Sequence, residues 1–153
     1  MLLAESSKCQ VQTNEIYDVL NQLIEINNVK VLSKKAKPLD IQNPSKHEFI
    51  YWCTNNGDEK IDLWQVDSVF ITEQINRIPE IKWDKKNIHK KIKLRKKSVD
   101  YFTIPLFLNR NKDLFIVYHS QYSGPLVSEG RYELYKRVNN KWKLINIQID
   151  FVS

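Results

Sequence analysis

Glycine and proline are scarce in this chain, 3 and 5 in 153 residues, so no part of it reads as a linker or a low-complexity tract. No run of 18 apolar residues occurs, which leaves no membrane-spanning helix, and no repeat of solenoid length is visible. Cysteine is limited to Cys9 and Cys53, without the CxxC spacing of a zinc site. The two are readable as one disulfide, or as a buried thiol at 53 and a mobile one at 9. HExxH, a glycine-rich phosphate loop and a nucleophile elbow are all missing, so the motifs point to no metal and no cofactor. The opening MLLAESSKCQ lacks both a basic leader and an apolar core. Its LLA before a polar segment looks like the tail of a trimmed signal peptide, so cytoplasmic and exported locations both stand open.

What remains is enough for one domain. An apolar share of 42% and a charged share of 27% are ordinary for a globular chain of this size. A single α+β domain over 1–153 is expected, with residues 1–11 as a mobile N-terminal segment. Residues 13–27 carry Ile16, Val19, Leu20, Leu23 and Ile24 on one helical stripe, with Thr13 as cap and Asn27-Asn28 as stop. VKVL suggests a short strand. HEFIYWCT suggests another, followed by an Asn56-Gly57 turn and KIDLWQV, a returning strand or a helix. Thr72 is expected to cap a short helix that Pro79 ends.

From residue 101 onward four strand-like runs follow, YFTIPLFL, DLFIVYHSQY, GRYELYKRV and KWKLINIQIDFV. Their short connections predict an antiparallel meander, and helix first with strands last predicts α+β. The expected fold is an N-terminal helix packed on a curved, mostly antiparallel sheet with a C-terminal β-meander.

Charge is unevenly spread. The net charge is +6, yet residues 82–97 alone hold nine Lys or Arg against Asp84. The rest of the chain is close to −2. Lysine also outnumbers arginine 19 to 5 beside 14 Asn and 17 Ile, the bias of an AT-rich coding sequence. Lys85, Lys86, Lys90, Lys91, Lys93, Arg95, Lys96 and Lys97 form the candidate polyanion surface, pinned by Ile88 with Ile92 or by Ile92 with Leu94. As a nucleic-acid site it would hold phosphates and read few bases, with Trp83 the one stacking residue nearby. As a solvated edge it would guard against edge-to-edge pairing.

The second candidate lies on the strands. Alternation puts Phe115, Val117, His119 and Gln121 on one face of their strand, and Leu114, Ile116, Tyr118, Ser120 and Tyr122 on the other. The same alternation groups Trp142, Leu144, Asn146, Gln148 and Asp150. In that register His119, Gln121, Glu133, Gln148 and Asp150 line one wall of a groove. His119 with Glu133 or Asp150 is then the candidate catalytic pair. Tyr118, His119, Gln121, Tyr122, Arg131 and Gln148 are the candidate ligand-binding residues. Against this, His119 also reads as a strand-end histidine bonded to backbone or water, and the tyrosines as half-buried sheet residues with hydroxyls in solvent.

The run P-L-F … N-K-D-L-F-I-V-Y-H-S-Q-Y-S-G-P-L … G-R-Y-E-L-Y-K-R-V-N-N-K-W-K-L-I resembles a group of uncharacterised Bacteroidota proteins, as does DSVFITEQINRI followed by KWD. The likeness covers roughly 67–151: a tyrosine-rich strand, a Gly-x-Leu loop and a Lys-Trp turn. Ser123 and Val127 stand where that group has paired cysteines, and the resemblance implies no activity. The leading expectation is a non-enzymatic binding or interaction domain of unidentified ligand, its partner another protein or an acidic surface. A small-molecule enzyme and a polyanion binder are the alternatives.

Overall fold

The computed structural model describes residues 10–39, 61–96, 100–124 and 127–152. Cys9, Cys53, Lys97 and the expected Asn56-Gly57 hairpin lie outside these residues.

Helix α1, Thr13–Ile26, forms where the stripe placed it and buries Ile16, Tyr17, Val19, Leu20, Leu23 and Ile24. Burying such a side chain contributes about 1.5–3 kcal/mol, so the stripe rather than local propensity holds the helix. The cap residue is Gln12, one position earlier than Thr13: Glu15 reaches back to accept from the Gln12 backbone N–H at 2.7 Å. Asn28 closes the helix in the left-handed region, φ 52°, while the N–H of Val29 returns to the Ile24 carbonyl. Residues 10 and 11 belong to the body of the fold: the Gln10 carbonyl accepts from Lys112, and Val11 packs on the core.

After α1 come β1 (Val31–Ser33) and β2 (Lys35–Ala36). KIDLWQV does not return as a strand; Leu63–Gln65 is a 3₁₀ turn. Leu63 and Val66 are three apart, a spacing that suits a helical turn rather than a period of two. Helix α2, Ser68–Arg77, is capped by Asp67, whose carboxylate accepts from the Phe70 N–H at 3.0 Å. Thr72 sits inside this helix with its hydroxyl on the Ser68 carbonyl. Then follow β3 (Ile81–Lys82), a 3₁₀ turn at Lys85–Asn87, β4 (Lys93–Arg95), β5 (Asp100–Phe102) and β6 (Leu106–Phe107). Three long strands complete the chain: β7 (Leu114–Gly124), β8 (Val127–Val138) and β9 (Lys141–Val152).

The main sheet runs β4-β1-β5-β7-β8-β9, with β6 also on β7. β5 through β9 pair antiparallel, whereas β1 lies parallel to both β4 and β5. The fold is α+β with an open, mostly antiparallel sheet. β8 turns into β9 through Asn139 and Asn140, both at positive φ (51° and 62°), the twist that two-residue hairpins favour.

Both faces of the sheet are covered at its centre, while Ile147 and Ile149 of β9 stay exposed. Phe115, Val117, Tyr135 and Trp142 pack under α1, and Leu114, Ile116, Leu134 and Ile145 form a second core with Ile71 of α2. Gln74 of α2 is buried and clamps the backbone of Phe107, donating to its carbonyl at 2.7 Å and accepting from its N–H at 3.0 Å. A side chain thus takes the place of a neighbouring strand beside β6.

One irregularity decides the site. Leu134 is opposite Asn146 but Tyr135 is opposite Leu144, so Ile145 is an extra residue, a β-bulge. Trp142 and Leu144 face α1, and Asn146 and Gln148 face the other way. The single wall expected of Trp142, Leu144, Asn146, Gln148 and Asp150 is therefore broken, because a bulge reverses the alternation beyond it.

Candidate functional site

On the α1 face, β5, β7 and β8 bring Asp100, His119, Arg131 and Glu133 together beneath the C-terminal end of α1. Pairing explains the meeting: Phe102 is opposite His119, His119 opposite Arg131, and Val117 opposite Glu133. His119 Nε2 is 2.8 Å from Asp100 Oδ1, and its Nδ1 is 3.1 Å from Glu133 Oε1. Arg131 reaches the other Glu133 oxygen at 3.2 Å and Glu129 at 3.4 Å. The Tyr135 hydroxyl donates to Glu133 and accepts from the Asn27 amide that follows α1. Phe102 stacks on the imidazole with ring centroids 4.2 Å apart.

This cluster is closed. His119 is 2% exposed and Glu133 0%. Burial pulls the His119 pKa down, but the hydrogen bonds and charges of Asp100 and Glu133 outweigh it, and the net shift is upward. Each carboxylate asks for an N–H, so the ring that satisfies both is the imidazolium. Asp100 and Glu133, Arg131 and His119 then balance in charge, the condition under which ions tolerate burial. The acids sit on opposite nitrogens of the ring, so they do not converge on a point where a metal would be held. Burial, followed by the Glu133 charge, raises the Tyr135 phenol well above its usual range.

Catalysis by His119 needs a ring nitrogen facing a substrate, and neither is free. Of the expected partners, Glu133 meets His119 and Asp150 does not. Asp150 lies on the opposite face, accepting from the Tyr118 hydroxyl at 3.2 Å. The candidate ligand-binding set divides the same way: His119, Gln121 and Arg131 take the α1 face, and Tyr118, Tyr122 and Gln148 the other. Tyr135, expected with its hydroxyl in solvent, is fully buried because that hydroxyl is held by Glu133. Asp100 was missing from the candidates. It enters only through the pairing of β5 with β7, for which the sequence carries no local signal.

The basic stretch forms one edge of the sheet. Ile88 and Ile92 are buried, as expected of the residues that pin it, and β4 is the edge strand. Trp83 is buried against Tyr17, ring centroids 5.5 Å apart, so it offers no face to a base. Lys85 folds back, its ammonium donating to the carbonyls of His89, Lys90 and Ile92. Parallel pairing with β1 then adds cations from elsewhere in the chain. The Lys93 N–H donates to the Lys30 carbonyl and the Lys34 N–H to the Arg95 carbonyl, each at 3.1 Å. Lys35 pairs with Glu80 at 3.4 Å. The side chains of Lys30, Lys34, Lys82, Lys86, Lys90, Lys91, Lys93, Arg95 and Lys96 have no hydrogen bond or ion pair among the described residues.

Among the described residues no helix is long and apolar enough to cross a membrane. No family model, no curated protein and no solved structure matches the chain.

Proposed function

We propose that this chain is a non-enzymatic binding domain that docks an acidic protein surface through the edge formed by β4 and β1. One observation carries the reading: cations from two separate stretches of sequence gather on one sheet edge and, Lys35 apart, have no acidic partners among the described residues. Such a surface raises the encounter rate with an acidic partner and sets its orientation, with an effect that fades as salt screens it. Lysine supplies point charges without the planar fork that reads phosphates and bases. With Trp83 in the core, the edge shows no stacking platform for single-stranded nucleic acid among the described residues. An enzymatic role for His119 lacks support because both ring nitrogens are spent.

The test is fluorescence anisotropy of a labelled polyglutamate peptide and a labelled oligonucleotide, at roughly 50 and 200 mM salt. The comparison protein carries Lys86, Lys90, Lys91 and Lys96 changed to Glu. Peptide binding that weakens with salt and disappears in the variant supports the proposal. Silence toward the peptide at low salt, or equal binding by the variant, overturns it; tighter binding of the oligonucleotide would make nucleic acid the partner instead.

A further inference from the structure

A cavity of about 240 Å³ opens between the first turns of α1 and the β8–β9 hairpin, away from the basic edge. Its charged groups fall into two kinds. Lys112 and Glu15 are committed: the ammonium lies 2.9 Å from both carboxylate oxygens and 2.7 Å from the Gln10 carbonyl. Asp18 and Arg137 are not. Neither side chain has a hydrogen bond or an ion pair among the described residues, and the two do not reach each other although they line the same cavity.

Arg137 is nonetheless held in place. Its guanidinium carbon lies 4.8 Å over the Trp142 ring, and Trp142 is wedged against Phe115 with ring centroids 4.5 Å apart. Cross-strand pairing on either side of the Asn139–Asn140 turn sets Arg137 directly opposite Trp142. Asp18 is anchored on α1 between the buried Tyr17 and Val19. The Gln22 side-chain carbonyl accepts from the Trp142 backbone N–H at 3.4 Å, and its own amide N–H groups have no partner among the described residues.

Two opposite charges on rigid elements, facing one cavity and not pairing, suit a ligand that carries both charges itself. A carboxylate fits the guanidinium fork and an ammonium fits Asp18. A ligand with one charge would leave the other protein charge without a partner and partly desolvated, which costs affinity. The volume falls below the ~300–1,000 Å³ that takes drug-sized molecules, so the ligand is small. We infer that this cavity binds a small zwitterion of the free amino-acid class, its carboxylate on Arg137 and its ammonium on Asp18.

The experiment is a titration of the full chain with each of the twenty common L-amino acids, followed by NMR at the Trp142 indole and Gln22 amide signals. An amino acid that binds is then compared with its N-acetyl derivative, which lacks the ammonium, and its amide, which lacks the carboxylate. The expected result is saturable shifts with at least one amino acid, and affinity weakened about tenfold or more in both derivatives and in Arg137→Gln and Asp18→Asn. Both substitutions are at exposed positions, and unchanged circular dichroism confirms that each variant is folded. No saturable shift from any amino acid up to ~10 mM, undiminished binding in either variant, or equal binding of the blocked derivatives overturns the inference.

Discussion

Beneath the two ends of α1 the chain places two sets of charges made from the same kinds of group. At the C-terminal end are Asp100, His119, Arg131 and Glu133; at the N-terminal end are Glu15, Asp18, Lys112 and Arg137. Each set holds two acids and two bases. In the first set all four are joined, through His119 to both acids and through Arg131 to Glu133. In the second only Lys112 and Glu15 are joined. The difference follows burial. An ion enclosed by protein must find its counter-ion or lose its charge, whereas Asp18 and Arg137 at an open wall keep water as a partner until a ligand displaces it. A cluster of ionisable residues is therefore a poor guide to function until it is known whether the groups are spent.

The sharpest way to break this comparison is to remove one acid from each set. Glu133→Gln takes from His119 and Arg131 the buried carboxylate they share, leaving only Asp100 and the more exposed Glu129 as counter-charges, and about 3–5 kcal/mol of stability is expected to be lost. Asp18→Asn is expected to change stability by no more than ~0.5 kcal/mol. Urea unfolding of the two variants beside the parent measures both. Similar costs for the two would show that the first set is not held together as described.

A smaller effect is expected from pH. The folded pKa of His119 lies above its unfolded value, so the stabilisation is complete below about pH 6.5 and is lost as pH rises through the folded pKa. The stability advantage of the parent over His119→Asn, followed by urea midpoints from about pH 6 upward, should shrink as pH increases. An advantage that grows with pH would mean that the ring is not the cation. The mildest test uses the other face. Burial, and then the hydrogen bond to Asp150, pushes the Tyr118 phenol up to about 12. In Asp150→Asn, ultraviolet titration should find it lowered only part of the way to its usual ~10, because burial remains. No change at all would detach Asp150 from Tyr118.

Several of these features can be read before any coordinates. The α1 stripe, the Asn139–Asn140 turn and the alternation on β7 are local signals, and they place Phe115, Val117 and His119 on one face. The turn also implies that Arg137 meets Trp142, since a two-residue hairpin leaves that pairing little freedom. The caps were shifted because Gln12 and Asp67, rather than the nearby threonines, supply the first-turn geometry. The bulge at Ile145 leaves one local mark, the adjacent apolar pair Leu144-Ile145 where KLINIQID otherwise alternates, and the extra residue becomes explicit only against β8. That one residue separates Gln148 and Asp150 from His119.

By itself, then, the sequence determined the fold class, the helix under which the site lies, the meander and the pole of lysine. Those depend on periods of two and 3.6 and on turn chemistry, which act over a few residues. Only the tertiary structure decided which charges meet. Asp100 reaches His119 across 19 positions, Lys112 reaches Glu15 across 97, and Lys30 joins the basic edge because β1 lies parallel to β4. Such contacts come from register and packing between distant segments, and a counter-ion carries no local mark of the partner it will find.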